Sequence, residues 1–159
     1  MSTLIGVQLT SVDSTAQFAE GLIDQHYDGK VYKYVKVRNE TATVAGAAGD
    51  VVGYLGSPSA TENNTVVTDN TDAATKPVGA GVLLADVAGV LATSYFCWVQ
   101  IRGPFTANQN LAGSTPADGD ALFLSTTDMT LTLATAADDP VCAYVIDDSA
   151  DKCMAAFAF

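Results

Sequence analysis

Residues in this chain able to do chemistry are few and scattered. One histidine, His26, stands in "LIDQHYDGK", and three cysteines stand at Cys97, Cys142 and Cys153. A lone histidine without a C-x-x-C pair does not make a zinc site. As a general base it would need a serine or cysteine nucleophile, and no nucleophile elbow or cysteine motif is present. It reads as a surface loop histidine. The pairs Asp138–Asp139 and Asp147–Asp148 fall in turns, whereas glycosidase carboxylates face each other across a cleft. "DNTD" at Asp69 and "DGD" at Asp118 offer oxygens to calcium, but neither continues into an EF-hand loop. "GAAGDVVG" runs into a strand and a turn, without the helix and Lys-Ser/Thr of a phosphate cradle. The expectation is no enzyme, no cofactor and no metal.

Two clusters remain. "YFCWVQIRGPF" (95–105) holds the only tryptophan, Trp98, with Gln100 and Arg102. Such a set suits a sugar or nucleotide site. It equally suits a strand with Cys97, Val99 and Ile101 on an apolar face and Phe96, Trp98, Gln100 and Arg102 on a mixed one. No partners for a ligand site converge from the sequence, so Trp98 and Arg102 are read as structural or subunit-interface residues, types enriched at interface hot spots. The second cluster is basic. Lys30, Lys33, Lys36 and Arg38 are four of seven cations and lie together. They read either as an electrostatic docking edge or as lysines protecting an exposed strand edge.

The elements that must carry these residues are short strands. Ala, Val, Gly and Thr dominate, and no segment keeps a helical period. "KVYKYVKVRN" alternates strictly: Val31, Lys33, Val35 and Val37 point one way, and Tyr32, Tyr34, Lys36 and Arg38 the other. Further strands are expected at 51–55, 78–84, 94–103, in "ALFLS" and "TLTLAT", and in a closing hairpin, about nine in all. Residues 57–76 are polar and turn-rich and read as a surface loop or finger, with "TVV" as a short strand inside it. The organisation is an N-terminal arm, 1–29, and a single β-rich domain, 30–159. Cys142 is expected to face Phe157 rather than Cys153, and the three thiols to be small core residues in a reducing compartment.

A repeat runs through the domain. "AAGDVVGYL" from Ala47 matches "PADGDALFL" from Pro116, each a Gly-Asp turn followed by an apolar strand. "KPVGAGVLLADVAG" matches "DPVCAYVIDDSAD", and each leads into a final strand. One supersecondary unit used twice predicts a small all-β barrel or sandwich of two related halves.

The 159-residue chain has a net charge of −11 and a pI near 4.1. That balance disfavours nucleic acid and anionic membranes, whose phosphates need clustered cations. The opening stretch lacks the basic n-region of a signal peptide. "PVGAGVLLADVAGVLA", broken by Asp86, is too short to span a bilayer.

Taken in order, "DGKVYKYVKVRN", "GDVVGYLG", "GVLLADVAG", "YFCWVQIRG" and "GDALFLS" resemble the capsid decoration (cement) proteins of tailed phages over roughly 28–146. The resemblance implies a β-tulip-like domain, a homotrimer, and a place on the outer surface of the mature head. There it would bridge copies of the major capsid protein after assembly in the host cytoplasm, with no catalysis. The alternating stretch "TLIGVQLTSV" then becomes a capsid-docking arm, with Leu4, Ile5, Val7 and Leu9 adding a strand to a capsid-protein edge. The alternative is a carbohydrate-binding or host-adhesion module that stacks sugars on Trp98 and other exposed aromatics.

Overall fold

The structure is a computed structural model that describes residues 7–38, 45–55, 65–68, 78–89, 94–107, 116–125 and 129–157. The described residues hold eleven strands in one connected sheet and no α-helix, so the molecule is all-β as expected. Leu4 and Ile5, and most of the 57–76 segment, lie outside the described residues. Within that segment Val66–Thr68 forms a strand, offset by one residue from the expected "TVV", and it is buried rather than part of a surface loop, because it closes the barrel.

Five strands close into a barrel. β3 (Val31–Arg38) runs antiparallel to β7 (Ser94–Thr106) along its whole length. β7 pairs with β6 (Gly79–Leu83), β6 with β4 (Val51–Tyr54), and β4 with β5 (Val66–Thr68). β5 then pairs parallel to β3 through Lys36–Val66 and Val37–Val67, which completes the ring. A five-stranded barrel has a narrow interior, and small side chains fill it. Val35, Val52, Val67 and Val99 are all fully buried. Gly81 is dictated by this crowding, because a Cβ there would lie 2.7 Å from Val99 Cγ2.

The second half repeats four of the five barrel strands, and β3 has no counterpart in it among the described residues. β8 (Ala121–Leu124), β9 (Leu131–Leu133), β10 (Val141–Asp147) and β11 (Lys152–Ala156) pair in the order β9-β8-β10-β11. The barrel half has the order β5-β4-β6-β7. The matching extends to single hydrogen bonds. Ala47 N–H donates to Asp50 Oδ2 at 2.7 Å, and Ala117 N–H to Asp120 Oδ2 at 2.8 Å. Gly49 N–H donates to Leu83 O and Gly119 N–H to Val145 O, each at 2.9 Å. Leu83 N–H returns to Asp50 O and Val145 N–H to Asp120 O. Gly49 (φ +97°) and Gly119 (φ +91°) sit in the same left-handed corner of each turn, which glycine alone enters without strain.

β7 belongs to both halves. Up to Arg102 it is a barrel strand. From Arg102 to Thr106 it pairs with β11. The change of partner falls at Gly103, whose φ is +95°. The inner face of the second sheet packs on the barrel and gives one continuous core containing Val51, Val82, Leu122, Leu124, Cys142 and Phe157.

Residues 7–29 are part of this body. β1 (Val12–Asp13) pairs with β7 at Cys97 and Phe96, and β2 (Ile23–Gln25) pairs with β3. Val7 and Leu9 ahead of β1, and Phe18 and Leu22 between β1 and β2, lie over the outer face of β3 and β7.

Candidate functional surfaces

That covering segment decides the status of Trp98. Its side chain is 1% exposed and packs with Tyr32 and Tyr34 under the chain's own N-terminal residues. The ring centroid of Phe18 lies 5.5 Å from Trp98 and 5.2 Å from Tyr34, edge-on to the latter. Gln17 N–H donates to the Tyr34 hydroxyl at 3.0 Å. The mixed face of the strand is therefore buried within one chain. Trp98 presents no ring to a sugar or to a second copy, and Val7 and Leu9 are already engaged inside the molecule. Arg102 is different: it is exposed, at the point where β7 changes partner.

The basic cluster also resolves differently from either expectation. β3 is hydrogen-bonded on both sides, to β7 on one and to β2 and β5 on the other, so it is not an edge. Alternation sends its cations to opposite faces. Lys36 and Arg38 lie half-buried on the outer face. Lys33 pairs with Val99 and points into the barrel, where it is 2% exposed. Its Nζ donates to the Tyr54 hydroxyl at 3.0 Å and lies 5.1 Å from that ring's centroid. No carboxylate pairs with it among the described residues. Burial pushes the Lys33 ammonium below its ordinary range and raises the Tyr54 phenol to about 12. The cue was available in the sequence: Lys33 shares a parity with Val31, Val35 and Val37. Lys30 precedes the strand and lines a surface groove described below.

His26 is less solitary than a loop histidine. Its Nε2 lies 3.1 Å from Oδ2 of Asp24, whose carboxylate is buried, and its ring meets Tyr32 edge-on at 4.9 Å. Among the described residues no serine, threonine or cysteine hydrogen-bonds to His26, so the pair orients an imidazole without a nucleophile to activate.

The cysteines are core residues. All three are free and buried, and burial raises Cys97 and Cys142 to about 12 and Cys153 to about 11. At neutral pH each is a thiol, the unreactive form. Gly79 packs so tightly on Cys142 and Phe157 that an added Cβ would reach both at 2.9 Å. That places Cys142 beside Phe157, as the hairpin geometry implied.

Asp118 does meet other carboxylates. One carboxylate oxygen from each of Asp118, Asp147 and Asp148 lies within 4.8 Å of the other two. They serve the turn: Asp148 N–H donates to Asp118 at 3.0 Å, and Ser149 Oγ–H donates to Asp147 at 2.7 Å, holding its carboxyl below the usual range. The barrel half has a related bond, from Ala48 N–H to Asp86 Oδ1 at 3.0 Å. Asp69 lies outside the described residues.

A groove marks the seam between the halves. One cavity of about 320 Å³ is lined by Lys30, Val82, Gln100 and Phe105 among others. A neighbouring one of about 240 Å³ is lined by Lys30, Pro104, Phe105, Thr106 and Lys152. Sequence reading missed it, because Lys30 and Lys152 stand far apart along the chain and only the β7–β11 pairing brings them together.

No protein-family model matches the chain, and neither a curated protein nor a solved structure matches it.

Proposed function

We propose that this chain is a structural virion protein. It decorates the outer surface of an expanded tailed-phage head as a homotrimer, bridges copies of the major capsid protein, and catalyses no reaction. The observation that carries the reading is the work done by the residues of the resemblance. In "WVQIRG", Gln100 shares the two hydrogens of its side-chain nitrogen among the carbonyls of Arg102, Gly103 and Pro104 at 3.0–3.1 Å, and so holds the bend that joins the two halves. The two Gly-Asp motifs tie equivalent turns in each half. These residues build the fold rather than a ligand site, and a chain whose quoted motifs serve rigid packing suits a cement role.

Mechanistically, a protein that binds the expanded shell and not its precursor stabilises the expanded state by mass action. Repeated contacts over a lattice add through multivalency. The test is to add the purified chain to undecorated expanded heads and image them. Ordered density at the symmetry axes, saturating with added protein, is the expected result. Bare heads at micromolar protein would overturn the reading.

A further inference from the structure

The second sheet has one covered face and one open face. Seven large apolar side chains are exposed among the described residues, and four of them, Val141, Tyr144, Ile146 and Met154, lie on that open face. Strand register puts them together. Tyr144 pairs with Met154, Met154 with Pro104, and Tyr144 on its other side with Ala121. Val141 pairs with Phe123, extending the same surface. A cross-strand apolar row of this kind, open to water, is the mark of a docking surface rather than of an ordinary exterior.

Its charge points to the kind of partner. The chain carries −11 overall and only seven cations. Three of these, Arg102, Lys152 and Lys30, stand along the β7 side of this face. Arg102 and Lys152 pair with Ala156 and Thr106 across β7 and β11. Lys30 and Lys152 flank the 240 Å³ cavity beside Pro104 and Phe105. Lys30 lies within ion-pair distance of no carboxylate among the described residues, and Lys152 interacts with the charge of Asp147, its register partner, without reaching ion-pair distance. An acidic chain that gathers three of its seven cations beside an apolar patch is complementary to a surface that brings carboxylates and apolar side chains together.

We propose that the open face of β7, β11, β10 and β8 is the docking face of this chain, with the Lys30–Lys152 groove receiving acidic side chains of the partner. The inference rests on the decoration reading, under which the partner is an acidic, apolar patch of the major capsid protein. It replaces the N-terminal arm as the docking element, since Val7 and Leu9 are spent on the aromatic cluster.

Two double variants test it, Tyr144→Ser with Met154→Ser, and Lys30→Glu with Lys152→Glu. Tyr27→Ser serves as the control, because Tyr27 is 92% exposed but lies at the β2–β3 turn. Circular dichroism and melting establish that each variant folds, and binding to expanded heads is then titrated. Each double variant should bind about tenfold or more weakly than the unaltered chain. The charge-reversed pair should also lose the weakening by salt that the unaltered chain shows. Tyr27→Ser should bind as before. Variants that bind heads as tightly as the unaltered chain sink the face while leaving the decoration reading standing. Unaltered protein that fails to bind heads removes both. A trimer of the unaltered chain that falls to monomers in the double variants reassigns the face to contacts between copies and overturns the proposal.

Discussion

The side-chain amide of Gln100 donates to the carbonyl of Gly103 at 3.0 Å, across the bend where β7 leaves the barrel. The same nitrogen reaches the carbonyls of Arg102 and Pro104. Gln100 is 3% exposed, so water would not readily replace these bonds to the backbone carbonyls of the bend. Gly103 supplies the backbone angle and Gln100 supplies the hydrogen bonds. Together they let a single strand serve two sheets.

Replacing Gln100 with Leu should therefore cost about 3 kcal/mol, the scale of buried acceptors left unsatisfied. Gly103→Ala should cost about 1–3 kcal/mol, because a non-glycine residue is strained at φ +95° and its Cβ would lie 3.0 Å from Lys30 Cγ. Chemical denaturation checks both. Gln100→Leu with undiminished stability would mean that the bend is held by strand pairing alone.

The duplicated turns allow an internal comparison. Asp50→Ala and Asp120→Ala each remove a carboxylate that accepts from a backbone N–H three residues earlier. Loss of such a bond costs about 1 kcal/mol. Asp50 is 7% exposed, while the Asp120 bond is open to water, so the first substitution should cost more, about 2 kcal/mol. Equal losses in urea titrations would show that burial of the turn contributes nothing.

Much of this fold was legible in the sequence because its signals are local. The period-2 alternation of Val31–Arg38, the Gly-Asp turns and the matched Pro-Val strands are all set by residues close in the chain, and the repeat appears bond for bond. What was not legible depends on residues brought together from afar. The outer face of β3 and β7 looked like a wet face because Tyr32, Tyr34 and Trp98 carry polar atoms, and nothing local says that Phe18 and Leu22 fold over them. The basic cluster looked like one surface because four cations are close in sequence, although the strand period separates Lys33 from Lys36 and Arg38. The Lys30–Lys152 groove depends on antiparallel pairing between distant strands, which one sequence does not specify.

The aromatic cluster gives a direct optical test. Trp98 is the only tryptophan, so the protein's fluorescence reports this one site. At 1% exposure its emission should be blue-shifted and resistant to iodide quenching in the native state. Removing residues 2–12 takes away Val7, Leu9 and the Val12–Cys97 pairing. That deletion should lower the melting temperature and move the emission toward the red. Trp98→Ala should cost about 3–5 kcal/mol as a large-to-small change in a packed core. A truncated chain with native emission and stability would return the segment to the role of a free arm.

Lys33 carries the clearest dependence on pH. Its ammonium is buried with a phenol and without a carboxylate, and its folded value lies below the ordinary 10.5. Between the lowered value and the ordinary one the unfolded chain holds more protons at this site, so stability must rise with pH across that window. Above the ordinary value the Lys33 penalty is gone; below the lowered value it is present in full. Tyr54, raised to about 12, acts in the opposite sense and only above its ordinary value of 10.0, where the unfolded phenol ionises first. The difference between the parent and Lys33→Met isolates the lysine. The variant should gain about 1–2 kcal/mol at pH 7, because a buried charge gives way to an apolar chain of similar length. Its advantage should shrink as pH climbs toward 10. A constant advantage from pH 6 to 10 would show that Lys33 keeps its ordinary titration inside the barrel, and a loss of stability in Lys33→Met would show that its bond to Tyr54 outweighs the cost of burying it.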